Sequence, residues 1–156
     1  MRKLGIIGGT SWSSTALYYE HINRGIAQRL GGLHSATLGI ESLDLAPVAA
    51  MELSGDWDGV AQVTLEAAKR LVAAGAEGVI ITSNTGHKVY DAVAANIAVP
   101  MLHIGDATAD RLVADGRTRV ALIGTRFTMT EPHVRSRIEA RGVALAPVEA
   151  GWIREV

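Results

Sequence analysis

The chain has 156 residues, enough for one domain or one and a fraction with a real core, and 48% of them are apolar while only 4% are aromatic. A formal net charge of −1 argues against nonspecific nucleic-acid or anionic-membrane binding, and the absence of cysteine excludes disulfides, thiolate catalysis and cysteine metal sites. No apolar stretch approaches membrane-spanning length, and Met1-Arg2-Lys3 leads into a short apolar run and then glycines rather than a signal peptide, so a cytoplasmic protein is expected.

Strand and helix signals alternate along the chain. Lys3 to Ile7 reads as a buried strand ending at Gly8-Gly9, and Ser13 and Ser14 are candidate caps for a helix that runs to Leu30 and stops at Gly31-Gly32. Ala36 to Ser42 is the second strand, followed by a loop or short helical excursion over Leu43 to Gly55. Asp56 or Asp58 starts a long helix to Ala74, with Gly75 as its stop. Its apolar positions Val60, Val63, Leu65, Ala68, Leu71 and Val72 fit one helical face loosely.

Val79 to Thr82 is the third strand and Thr85 to Ala95 its helix. Pro100 to Ile104 is a fourth strand, Ala107 to Ala114 a helix, Arg119 to Ile123 a fifth strand, Thr130 to Ala140 a helix, and Val143 to Val148 a sixth strand. This order predicts an α/β fold with a doubly wound, mostly parallel sheet. A boundary near Gly105 gives a first α/β domain over 1–104 and a partial second one over 105–156. No helix pattern follows strand six, so a two-stranded second domain is expected to leave a sheet edge exposed, which self-association would cover.

Three strand-to-helix junctions carry candidate chemistry. Gly5-Ile6-Ile7-Gly8-Gly9-Thr10-Ser11-Trp12 is either an anion cradle of backbone N–H groups or a tight turn; its spacing matches neither a dinucleotide nor a triphosphate fingerprint. Thr82-Ser83-Asn84-Thr85 offers three hydroxyls and an amide suited to a small carboxylate, with helix capping as the alternative. Gly124-Thr125-Arg126-Phe127-Thr128 repeats that logic after strand five. The five histidines show no metal-ligand spacing, and no metal site is expected. His87, one helical step past the polar tip, is a candidate proton or hydrogen-bond donor. Tyr18, Tyr19 and Trp57 are expected to pack helix faces, and Arg135, Arg137 and Arg141 to form a solvated helix surface.

Taken in order, GIIGGTSWSSTALYYEHIN, RLGGLHSA, AGAEGVIITSNTGHKVYDAV, VPMLHIGDAT and RVALIGTRFTM resemble the aspartate/glutamate racemase family across the whole chain. The resemblance implies a cofactor-independent isomerase of two similar α/β domains, often dimeric, acting on a small acidic amino acid. One acid/base residue, usually cysteine, comes from each domain. It places Ser83 at the first catalytic position, with Asn84 and Thr85 holding the substrate carboxylate. Thr10, Ser11 and Trp12 line the pocket, and Thr125 and Thr128 contribute from the second domain. The second cysteine, in a Gly-Cys-Thr-Glu type motif, falls beyond the length of this chain in the family. A serine hydroxyl does not ionise near neutral pH as a thiol with a pKa of about 8.5 can, and it needs a neighbouring base. An inactive relative that binds small acids or a partner protein is therefore the alternative expectation.

Overall fold

The computed structural model describes residues 1–148. The chain packs as two compact units, Met1–Leu102 and a second from His103 onward. In the first unit, β1 (Leu4–Gly8), β2 (Leu38–Ser42), β3 (Gly78–Ile81) and β4 (Met101–Leu102) form a sheet in the order β2-β1-β3-β4, with every pairing parallel. The helices between them are α1 (Trp12–Leu30), α2 (Leu45–Ser54), α3 (Trp57–Ala73) and α4 (Tyr90–Ala94). The fold is the α/β class with a parallel sheet that the alternating pattern predicts.

Successive side chains of a strand face opposite sides of the sheet. Ile7, Val79 and Ile81 face a core that contains Val60, Ala67, Ala68 and Leu71 of α3. The buried stripe of α3 is Val60, Thr64, Ala67, Ala68 and Leu71, so Val63, Leu65 and Val72 lie at its margins, only partly buried. Small residues let this helix approach closely: a Cβ added at Gly5 would stand 3.1 Å from both Leu71 and Ala76. A core built from alanine and β-branched residues needs few aromatics at that separation.

The opposite face carries Ile40, Ile6, Ile80 and Leu102 in register across the four strands. Ile6 is fully buried, whereas Ile40 is 43% and Leu102 54% exposed. Along α1 the buried residue is Thr15; Tyr18 is half-buried and Tyr19 is 50% exposed, so Tyr19 does not pack as expected. The helix starts at Trp12 with Ser11 at its N-cap position, earlier than Ser13 or Ser14 suggested.

Three differences from the sequence-based elements stand out, the first two with local causes. The segment expected as one helix from Thr85 is a 3-10 helix (Thr85–Val89) followed by α4. His87 Nδ1 lies 2.7 Å from the Ser83 carbonyl, the acceptor an α-turn would use, and the His87 N–H bonds Asn84 O instead at 3.1 Å. A side chain competing for that carbonyl tightens the turn. The helix expected over Thr130 to Ala140 is divided into α6 (Arg126–Thr130) and α7 (Pro132–Glu139). Pro132 has no N–H and holds Glu131 extended at φ −96°, ψ 159°. Strands five and six pair over two residues each, β5 (Arg119–Val120) with β6 (Ala144–Leu145), and part beyond that around a cavity of about 190 Å³ lined by Leu122, Ile123, Met129 and Pro147.

The second unit also contains α5 (Ile104–Ala114), which begins where a strand reaching Ile104 was expected. His103 Nδ1 accepts the Gly105 N–H at 2.9 Å and caps it. Ala109, Val134, Ile138 and Val143 form its core. Arg137 pairs with Asp106 at 2.7 Å, Arg141 with Asp110, and Arg135 donates to Met129 O at 2.9 Å. Arg135 and Arg137 are thus half-buried ties rather than a solvated surface, because α7 lies against α5. The expected character of Glu149 to Val156 lies outside the described residues. Among the described residues, no helix is long and apolar enough to cross a membrane.

Gly9 takes φ +90°, and a Cβ there would stand 2.0 Å from Leu43 O, whereas a Cβ at Gly25 in α1 meets nothing within 4 Å. Gly9→Ala should therefore cost about 2 kcal/mol or more, and Gly25→Ala should stabilise by about 0.5–1 kcal/mol. Urea denaturation of the two variants checks both signs.

Candidate active site

In the order β2-β1-β3-β4, the chain leaves β1 toward one side and β3 toward the other, so the topological switch point lies between these two strands. Two loops begin at their C-terminal ends: Gly9-Thr10-Ser11 into α1, and Thr82-Ser83-Asn84 into the 3-10 helix. The Thr82 N–H donates to Ile7 O at 3.0 Å, so the two loops leave neighbouring strands in register.

Ser83 is half-buried. Its Oγ accepts the Gly86 N–H at 3.3 Å, which leaves the hydroxyl proton for another acceptor. A Cβ at Gly86 would stand 3.0 Å from Ile81, so the glycine lets the turn close over the strand end. Asn84 opens the 3-10 helix without a side-chain capping bond, and its amide is half-exposed. Thr85 is buried. On the other loop Thr10 and Ser11 are half-buried, Ser11 Oγ donates to Ser14 Oγ at 2.9 Å, and Trp12 is 74% exposed. The switch point thus brings the Thr10–Trp12 turn beside the Ser83–Thr85 turn.

Two residues behave differently from their sequence reading. Thr82, one of the three hydroxyls offered to a carboxylate, is buried and bonded inward, 2.9 Å from Thr15 Oγ1 and 3.3 Å from Ile7 O. His87 is buried at 2% exposure and stacks on Tyr90 with 6.1 Å between ring centroids, and its Nδ1–H is given to the Ser83 carbonyl. A carbonyl only accepts, so Nδ1 carries a proton. His87 holds the loop rather than serving it as a proton donor through that nitrogen. The Tyr90 hydroxyl in turn donates to Met101 O at 2.5 Å. Thr15 was missed as a functional candidate; its available signal was a hydroxyl four residues after Ser11, one helical turn above the glycines.

Gly9's N–H donates to Thr15 Oγ1 at 3.1 Å, so that amide serves the fold and not an anion. Near the 3-10 helix, Lys88 Nζ sits 3.8 Å from the centre of the Trp57 ring, a cation–π contact that anchors Trp57 beside the core. Burial pushes the Glu52 carboxyl above its ordinary range, with the Lys88 charge opposing it.

In the second unit, Thr125 caps α6: its Oγ1 accepts the Thr128 N–H at 3.3 Å and lies 3.1 Å from Thr128 Oγ1. Thr125 is exposed, whereas Thr128 is fully buried. A Cβ at Gly124 would crowd Thr128 at 3.2 Å, so the glycine admits the cap.

The family model for Asp/Glu/Hydantoin racemases matches residues 7–154. The chain belongs to this family. A protein of Yersinia pestis described as a candidate Asp/Glu racemase shares 40% identity with this racemase-family chain at a TM-score of 0.91, over 97% of this chain and 66% of the other. An aspartate racemase homologue from Pyrococcus horikoshii shares 33% identity at a TM-score of 0.82, over 97% of this chain and 67% of the other. The aspartate racemase of Picrophilus torridus has the same fold at 15% identity and a TM-score of 0.76, with 62% of its length covered. This racemase-family chain therefore spans about two thirds of the length of the relatives it matches.

Two substitutions test the local assignments. Thr125→Ala should lower stability by about 1 kcal/mol through loss of the cap, read from denaturant midpoints. Because burial raises the Glu52 pKa, its protonated form is favoured by folding; that contribution is present below the unfolded pKa and lost as pH rises through the folded one. Glu52→Gln should therefore raise the thermal midpoint at about pH 7 and show little gain at about pH 3.5.

Proposed function

We propose that this chain is a cofactor-independent racemase acting on aspartate or glutamate, with Ser83 as one of its two proton-transfer groups. The observation that carries this reading is the Ser83 hydroxyl at the switch point of a racemase-family sheet, next to an Asn84 amide that makes no capping bond. Asn84 and Thr85 hold the substrate carboxylate, and Thr10, Ser11 and Trp12 line the same edge. Of the second-unit pair, Thr125 is exposed and takes the role that family membership implies, while the fully buried Thr128 supports it through the cap.

In this reading the α-proton leaves one face of the substrate carbon and a proton returns on the other. Hydrogen bonds from Asn84 and the loop N–H groups stabilise the charge that develops on the carboxylate when the C–H bond breaks. Ser83, neutral near pH 7, acts as the donor: its O–H proton passes to the carbanion, and the Gly86 N–H at 3.3 Å steadies the oxygen left behind. The abstracting base lies on the opposite face. It is not a thiol, because the chain contains no cysteine. Self-association belongs to the same reading, supported by the exposure of Leu17, Ile40 and Leu102 on α1 and the open sheet face.

A second reading is favoured by one observation, the serine at the usual thiol position: a protein that binds small acids without turning them over. Incubation with L-aspartate and L-glutamate in heavy water, with the α-proton signal followed by NMR, separates the two. Exchange that falls roughly 100-fold in Ser83→Ala and rises in Ser83→Cys is the expected result. Binding without exchange in the wild type and in Ser83→Cys would establish the second reading.

A further inference from the structure

Thr15 and Thr82 are both buried, and their hydroxyl oxygens lie 2.9 Å apart. Thr15 Oγ1 accepts the Gly9 N–H at 3.1 Å and stands 3.1 Å from Ser11 O. Thr82 Oγ1 stands 3.3 Å from Ile7 O. Two protons serve these contacts. Either Thr15 donates to Ser11 O while Thr82 donates to Thr15, or Thr15 donates to Thr82 while Thr82 donates to Ile7 O. In both arrangements the threonine–threonine bond is made and the Gly9 N–H is satisfied; sending both protons to the carbonyls would leave two hydroxyl oxygens 2.9 Å apart with no proton between them, which is disfavoured.

Thr15 reaches this position because Gly8 has no side chain: a Cβ there would stand 2.5 Å from both Thr15 Oγ1 and Cγ2. The pair joins the end of β1, the Gly9–Ser11 turn, the first turn of α1 and the residue before Ser83. The Thr82 N–H extends the ladder of β3 to Ile7 O at 3.0 Å. The anchor at Thr82 thus fixes the backbone from which the half-buried Ser83 departs.

We propose that the Thr15–Thr82 hydroxyl pair is the positioning device of the candidate site. It locks the loop bearing Thr10, Ser11 and Trp12 to the loop bearing Ser83, Asn84 and Thr85. The assignment rests on the proposed function for its substrate readout. Neither threonine touches substrate; both act through the residues beside them.

The test compares Thr15→Val, Thr15→Ser and Thr82→Val in the full chain, by NMR titration with L-aspartate and L-glutamate and by amide hydrogen exchange. Thr15→Val keeps the shape and removes the hydroxyl. It should weaken binding about tenfold and speed exchange of the Gly9 and Thr82 amides about tenfold, while Val79 in β3 is unchanged. Thr15→Ser should stay within about twofold of the wild type in both readouts. Wild-type binding by Thr15→Val, or an equal loss in Thr15→Val and Thr15→Ser, would overturn the proposal. A wild type that binds neither acid defeats the functional reading and leaves exchange to decide: unchanged Gly9 and Thr82 protection in Thr15→Val then overturns the positioning role by itself. Should Thr15→Val not fold, Thr82→Val, which spares the Gly9 bond, is expected to weaken binding and expose the Thr82 amide, and wild-type behaviour there overturns the assignment.

Discussion

Parallel pairing of β1 with β3 is the interaction on which the rest of the first unit depends. These strands are 70 residues apart in sequence and adjacent in the sheet, with Leu4 opposite Gly78 and Ile7 opposite Ile81. That pairing places the core face of the sheet against α3 and, at its far end, sets two polar turns beside each other. Every candidate site residue of the first unit lies on one of those turns. A one-residue slip would send Ile7, Val79 and Ile81 to the wrong face, so the buried core against α3 also fixes the position of Ser83.

The glycines serve that same pairing through space rather than flexibility alone. Gly5 and Gly39 admit Leu71 of α3, and Gly8 admits Thr15 from α1. Gly9 alone among these four takes a left-handed backbone, and it does so against the Leu43 backbone. Close approach at these points explains how a chain with 4% aromatics closes a core: helices approach near enough for alanine to fill it.

The hydroxyl-bearing residues divide by environment, not by type. Thr82 and Thr15 are buried and bond each other, Thr125 caps a helix, and Ser83 keeps its proton beside a turn N–H. A hydroxyl is equally suited to each task, and burial decides among them. The Ser83 hydroxyl is likewise governed by what surrounds it. An N–H donor at 3.3 Å favours a hydroxyl that gives its proton away, whereas a thiol in that position would ionise more readily.

Much of the fold was legible because its signals are local. Apolar runs bounded by Gly8, Gly31 and Gly75 marked the strands and helix stops, and Asp56 marked the start of α3. Pro132 is a local signal of the same kind, a helix breaker that divides the last helix in two. The Ser83-Asn84-Thr85 cluster was legible as a strand-end motif, and co-linear blocks carried the family. Illegible from sequence was which hydroxyl faces inward. Thr82 was grouped with its neighbours, and Thr15 went unnoticed, because their partnership joins residues 67 positions apart. His87 likewise read as a site residue until its ring was seen taking the carbonyl an α-turn would use. The sequence by itself determined the α/β class, the family and the strand ends where polar residues gather, since periodicity and turn chemistry act over a few residues. Only the tertiary structure decided which of those polar groups turn inward to hold the loops, because burial and hydrogen-bond geometry are set by strands that meet across the sheet.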